Sequence, residues 1–141
     1  MIIHEMEQRS PEWFAVRLGK ITGTSFTTMA NGRPATIETL CEKTAAERIT
    51  GVSSENGFIN EAMERGIELE AQALALYSTE NFGDVKTVGF VELDEFIGCS
   101  PDGLVGDDGG VEIKCPEQHT HLRYMTCDVA WKKYFWQYIK C

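Results

Sequence analysis

The run CSPDGLVGDDGGVEIKCP, residues 99–116, holds the side chains of this sequence best suited to chemistry. Asp102 follows a proline, and ten residues later Glu112 and Lys114 stand one residue apart. Carboxylate oxygens are the hard ligands Mg²⁺ prefers, and a lysine beside a bound metal can hold an attacking water or stabilise charge on a phosphate. Two acids and a lysine delivered to one place are the parts of a metal-dependent phosphodiesterase site. The plain alternative for a Glu-x-Lys pair is a surface hairpin carrying two solvated charges. The proline-led Asp102 at this spacing favours the site.

Local periodicity says how these groups are presented. Alternation from Val111 to Cys115 turns Val111, Ile113 and Cys115 to one side of a strand and Glu112 and Lys114 to the other. The segment from Phe96 to Val105 is also strand-like, and Asp107-Asp108-Gly109-Gly110 is a hairpin signal, so the two strands should be antiparallel neighbours. Asp102 then returns alongside Glu112, offset from direct pairing, with Pro101 and Gly103 marking a bend or bulge that re-aims its side chain. A third carboxylate comes from the longest expected helix, Asn60 to about Asn81. Its face Met63, Gly66, Ile67, Glu70, Leu74, Tyr77 is apolar except at Glu70. An inward carboxylate needs a cation or hydrogen-bond donors. A metal held by Asp102 and Glu112 would serve; an ion pair with Arg17 or Arg65 is the structural alternative. Upstream, Ser10 and Pro11 read as the cap and first residue of a helix, Thr22 to Ser25 as the cap of a short helix through Met29, and Thr36 to Thr50 as a third helix.

Ser100-Pro101-Asp102-Gly103 followed by Glu112-Ile113-Lys114-Cys115-Pro116 resembles the PD-(D/E)xK nuclease motif in the form used by the phage lambda exonuclease family, the YqaJ-like viral recombinases. Three further segments carry the likeness: WFAVRLGKITGTS from Trp13 to Ser25, Gly66-Ile67-Glu68-Leu69-Glu70-Ala71 on the long helix, and Tyr134-Phe135-Trp136-Gln137 at the opening of a later one. Four motifs in family order span the chain from about Trp13 to its last residue.

Composition agrees, with one tension. A chain of 141 residues with 43% hydrophobic content can bury one core, so a single domain over 1–141 is expected. It has no run of about eighteen apolar residues and no signal-peptide pattern at its start, which implies a soluble intracellular protein with no membrane partner. Five cysteines without a CxxC pair read as reduced, mostly structural thiols. His119 and His121 are a possible metal pair in what reads as a polar loop, where solvation is the ordinary outcome. The tension is a formal net charge of −9 in a chain expected to meet DNA. Residues 1–113 hold 8 basic and 20 acidic side chains, a balance of −12, whereas residues 114–141 hold 5 and 2, a balance of +3. Bound divalent metal would offset part of the acid.

The resemblance implies an α/β (α+β) fold with a restriction-endonuclease-like core, a central mixed β-sheet flanked by helices. The C-terminal part that family members possess would be missing after Cys141. It implies Mg²⁺, or Mn²⁺, held by Asp102, Glu112 and the backbone carbonyl of Ile113, with Lys114, Glu70 and Gln137 completing the catalytic set. Arg17, Thr24 and Ser100 would form a pocket for the 5′-terminal phosphate; arginine suits this as a bidentate fork, although taken alone Arg17 could pair with surface acids. The implied activity is degradation of the 5′-ended strand of linear duplex DNA, handed to a single-strand annealing protein. A homotrimeric ring and the cytoplasm of a bacterial host, with a phage or prophage gene, belong to the same implication. A restriction-like endonuclease on the same core, and a non-catalytic DNA-binding or interaction module, are the other classes such a core supports.

Overall fold

The computed structural model describes residues 1–54, 59–80, 84–127 and 129–140, the last five of these by backbone only. In chain order they form β1 (Ile2–His4), α1 (Pro11–Arg17), α2 (Gly23–Asn31), α3 (Pro34–Thr50), α4 (Glu61–Glu80), β2 (Val85–Lys86), β3 (Phe90–Glu92), β4 (Gly98–Cys99), β5 (Gly103–Val105), β6 (Gly109–Val111), α5 (Gln118–Thr126) and α6 (Ala130–Lys140). The α/β class is as expected. The strands, however, fall into two three-stranded antiparallel sheets, ordered β1-β3-β4 and β2-β5-β6, and the parallel component among the described residues is a single bridge between Ile21 and Ile97.

The break between the sheets lies within the strand-like segment from Phe96 to Val105, at the bend expected around Pro101 and Asp102. β4 ends at Cys99 and β5 begins at Gly103, with Ser100-Pro101-Asp102 bent between them. Pro101 has no N–H to continue a ladder. Beyond the bend the register is Gly103 with Val111, Leu104 with Gly110 and Val105 with Gly109. The turn is therefore Gly106-Asp107-Asp108, one residue earlier than the sequence pattern indicates, with Gly106 at φ +62° where a side chain would be strained. β6 also stops at Val111. Past that point Ile113 N–H donates to Asp102 Oδ2 at 2.5 Å, so a side chain has taken the place of the next main-chain partner.

The core sits on the first sheet. Phe90 is wholly buried, Val88, Val91 and Cys99 form a buried cluster, and Leu104 packs on it from the second sheet. Gly98 is required there, because a Cβ would lie 2.1 Å from Phe90 Cζ. Trp13 closes the core from α1, whose cap is the expected Ser10, its hydroxyl accepting from Trp13 N–H at 3.2 Å. In α2 the Thr22 N–H donates to Ser25 Oγ at 2.9 Å, and α6 packs against α2. The long helix α4 begins and ends within a residue of its expected bounds. α5 replaces the loop expected around His119. Two residues apart on a helix, His119 and His121 point to different sides and are both exposed, and no group of three or more His, Cys, Asp or Glu side chains among the described residues is arranged to hold a metal. Cys41, Cys99, Cys115 and Cys127 are not disulfide-bonded among the described residues; Cys141 lies outside them.

Candidate active site

The bend and the long helix deliver their acids to one cleft. Asp102 and Glu112 directly follow the last residue pair of the β5–β6 ladder, Gly103 with Val111, so they stand nearly level rather than clearly offset. Glu112 and Lys114 share a side, as alternation indicates, and the lysine Nζ donates to Glu112 Oε1. Glu70 comes from the half-buried face of α4 and lines, with Asp102, Leu74 and Val88, a cleft of about 390 Å³. A larger cavity of about 730 Å³ lies between α4 and α5 with Ile113 and Lys114 in its wall, but its walls, including Leu69, Leu76, Leu122 and Met125, are mostly apolar, whereas Glu70 and Asp102 line the smaller cleft.

The charges are strongly coupled. Burial pushes the Glu70 carboxyl above the usual range; the negative charge of Asp102 adds to this, while Lys114 and Arg9 oppose it. Glu112 is also raised, first by burial, then against the hydrogen bond and charge of Lys114, with Asp102 and Glu70 repelling it further. For Lys114 burial works against its charge, yet the hydrogen bond to Glu112 and the charges of Glu112, Asp102 and Glu70 prevail and hold its pKa above the ordinary value. Lys114 is therefore a cation at neutral pH, a donor and not a base. Its ammonium also lies 5.7 Å from the Tyr134 ring centre.

This cleft suits a hard divalent cation. Two acidic side chains converge beside the Ile113 main chain, a third is near, and burial with like-charge repulsion is an arrangement that bound positive charge relieves. Two carboxylates and a carbonyl do not close a coordination shell, which fits an ion that keeps several waters. The alternative partners for Glu70 are engaged elsewhere. Arg65 lies 3.8 Å from Glu117 and donates to Cys115 O at 3.4 Å, and Arg17 lies in a different corner.

That second corner centres on Trp13. Its indole N–H donates to Ser100 Oγ at 2.9 Å and to Gly89 O at 3.0 Å, and the Arg17 guanidinium stacks on the same ring, 3.9 Å from its centre. Arg17 and Ser100 are thus assembled on one indole. Thr24 is exposed on the first turn of α2. Glu47 is the acid near Arg17: burial alone would raise its pKa, but hydrogen bonds from Ser54 and Gly19 and the charge of Arg17 hold it below the usual range. Gln137 lies on α6, and its side chain is outside the described residues.

Sequence reasoning did not single out Gln8, Arg9 or Tyr134. Gln8 lines the acid cleft and donates to both Val88 O at 3.2 Å and Pro101 O at 3.0 Å. No periodicity marks residues in an irregular segment; for Tyr134 the signal was its place in the aromatic run before Gln137.

Comparison with known proteins bears on the whole arrangement. The description of the YqaJ-like viral recombinase domain matches residues 12–140. Among solved structures, an alkaline exonuclease from Laribacter hongkongensis is 37% identical, with a TM-score of 0.77 over 91% of this chain and 64% of that one. The same exonuclease in complex with dAMP is 36% identical, with a TM-score of 0.79 over 91% of this chain and 65% of that one. The chain thus spans a little under two thirds of the length of these relatives. No curated protein matches it.

Proposed function

The chain belongs to the family of YqaJ-like viral recombinase domains, and from that membership we propose that it is a metal-dependent exonuclease degrading one strand of linear duplex DNA from the 5′ end. The observation that carries this reading is the mutual charge coupling of Asp102, Glu112, Lys114 and Glu70, with Glu70 and Asp102 lining one cleft, beside a separate corner where Arg17 and Ser100 meet on Trp13. The relative solved with dAMP adds support, since a nucleoside monophosphate is what such a reaction releases.

Asp102, Glu112 and the Ile113 carbonyl would hold Mg²⁺ or Mn²⁺, with Glu70 close by. When bound, such an ion lowers the pKa of a coordinated water and offsets charge on the phosphate under attack. The Ile113 N–H fixes one oxygen of Asp102 and so fixes the direction of the other. Lys114, kept protonated by its acidic neighbours, donates a hydrogen bond to the attacking water or to a phosphate oxygen. Glu70 and Gln137 would order water around it. Water adds to phosphorus, the bond to the 3′-oxygen of the terminal nucleotide breaks, and that oxygen takes a proton. The shortened strand again begins with a 5′-phosphate, so a corner that grips 5′-phosphate through Arg17 and Ser100, with Thr24 as a third donor, meets the same group after every cycle.

A trimeric ring, an annealing partner and a bacterial cytoplasmic setting follow the same family reading, and sedimentation velocity checks the first. Among the described residues no helix is long and apolar enough to cross a membrane. The deciding experiment is digestion of three substrates in Mg²⁺: linear duplex with a 5′-phosphate, linear duplex without it, and closed circular duplex. Release of mononucleotides from the first, slower release from the second and none from the third is expected. Cutting of the circle would make the protein an endonuclease on this core, and digestion of none would leave a binding module.

A further inference from the structure

Residues 6–8 form one wall of the acid cleft, and the backbone is strained at the residue that directly follows them. Arg9 has φ +72°, the one positive value at a non-glycine residue among the described residues. L-residues with a Cβ disfavour that region, and glycine or asparagine is its usual occupant. Held strain at a non-glycine position points to use of its side chain.

The surrounding contacts fix the position. Gln8 ties this wall to the core by donating to Val88 O and to Pro101 O, the carbonyl just before Asp102. Met6 sits over Gly89 so closely that a Cβ there would lie 2.4 Å from Met6 Cγ, and Ser10 N–H donates to Glu7 O at 3.3 Å. The turn presenting Arg9 is thereby tied to the bend at Pro101 and to the residues that lead into β3, Val88 and Gly89. Arg9 itself is exposed, and no ion pair among the described residues engages it. Glu70 nonetheless senses its positive charge. The cleft it borders carries Glu7, Glu70 and Asp102, an acidic lining that would repel a nucleic-acid strand.

We propose that Arg9 is a substrate-binding residue, its guanidinium gripping a non-scissile backbone phosphate of the strand that enters the acid cleft. Gln8 acts as its positioning residue. The proposal rests on the nuclease reading above and deepens it. A cation at the lip of an acidic cleft lets the polyanion approach, and the planar guanidinium can bind a phosphate in bidentate fashion.

The backbone conformation supplies the test. Arg9→Gly and Arg9→Asn suit φ +72° at least as well as arginine, so both should melt no lower than wild type. Duplex binding is measured with Ca²⁺ in place of Mg²⁺ across a salt series, and digestion with Mg²⁺. Losing one phosphate contact should flatten the slope of log affinity against log salt by about 0.9 and weaken binding roughly five- to tenfold near 0.1 M salt. Arg9→Lys should keep the slope. A wild-type protein that digests linear duplex while Arg9→Gly and Arg9→Asn retain its salt slope overturns the role of Arg9 alone. A wild type that digests nothing overturns the nuclease reading and this inference with it.

Discussion

The two sheets are alike in size and pairing yet opposite in content. In β1-β3-β4 the central positions are Phe90, Val91 and Cys99, all buried, with glycine at 98 to admit the Phe90 ring. In β2-β5-β6 the corresponding space holds Gly103, Gly109 and Gly110, side chains are half-buried, and the strands end by delivering Asp102 and Glu112. One sheet is a packed apolar layer; the other is a thin support for charges, where burial first and mutual repulsion second raise the carboxyl pKa of Glu70 and Glu112. The lesson is a spatial division. Stabilising contacts lie on one side of the Ser100–Asp102 bend, and groups that burden stability for the sake of chemistry lie on the other.

The strongest way to break that division is at its charged side. Asp102→Ala and Lys114→Ala should each lower DNA digestion by about a thousandfold or more while leaving the melting temperature within a few degrees of wild type. Full activity in either variant refutes the assigned cleft. Phe90→Ala should do the reverse, removing about 3–5 kcal/mol of stability in denaturant titration. Gly98→Ala, which drives a methyl into the Phe90 ring, should cost about 1–3 kcal/mol by the same measurement. The smallest effect sharpens the comparison. Glu70→Gln should melt slightly higher than wild type at neutral pH in the presence of a chelator. Because folding raises the Glu70 pKa, wild-type stability falls as pH climbs from the ordinary glutamate value through the raised one. The two proteins should therefore converge at acid pH and separate above that window; a constant offset would mean that charge is not the cause.

Much of this was legible in the sequence where a period or a cap announces it. Ser10 with Pro11 marks α1, and the apolar stripe interrupted by Glu70 gives both the extent of α4 and its acid. Alternation at Glu112 and Lys114 places the pair on one side. The separation into two sheets was not legible, because it depends on Pro101 lacking a donor and on Asp102 replacing a main-chain acceptor, events between strands of two or three residues. The helix at His119 was hidden by polar composition with no apolar period. Gln8 and Arg9 were invisible for another reason: their meaning lies in partners 80 or 93 positions away and in a backbone angle.

Trp13 has an optical consequence. Of the tryptophans with described side chains it is buried, whereas Trp131 is 52% exposed, so its emission should lie to the blue of that neighbour. A cation rests on its face and Ser100 accepts from its N–H. A terminal phosphate that draws Arg17 or Ser100 toward itself must disturb the indole directly. With Trp131 and Trp136 both replaced by phenylalanine, the protein would carry close to the proposed strand-end corner a single native fluorophore whose intensity reports each engagement in real time, without a label on the DNA.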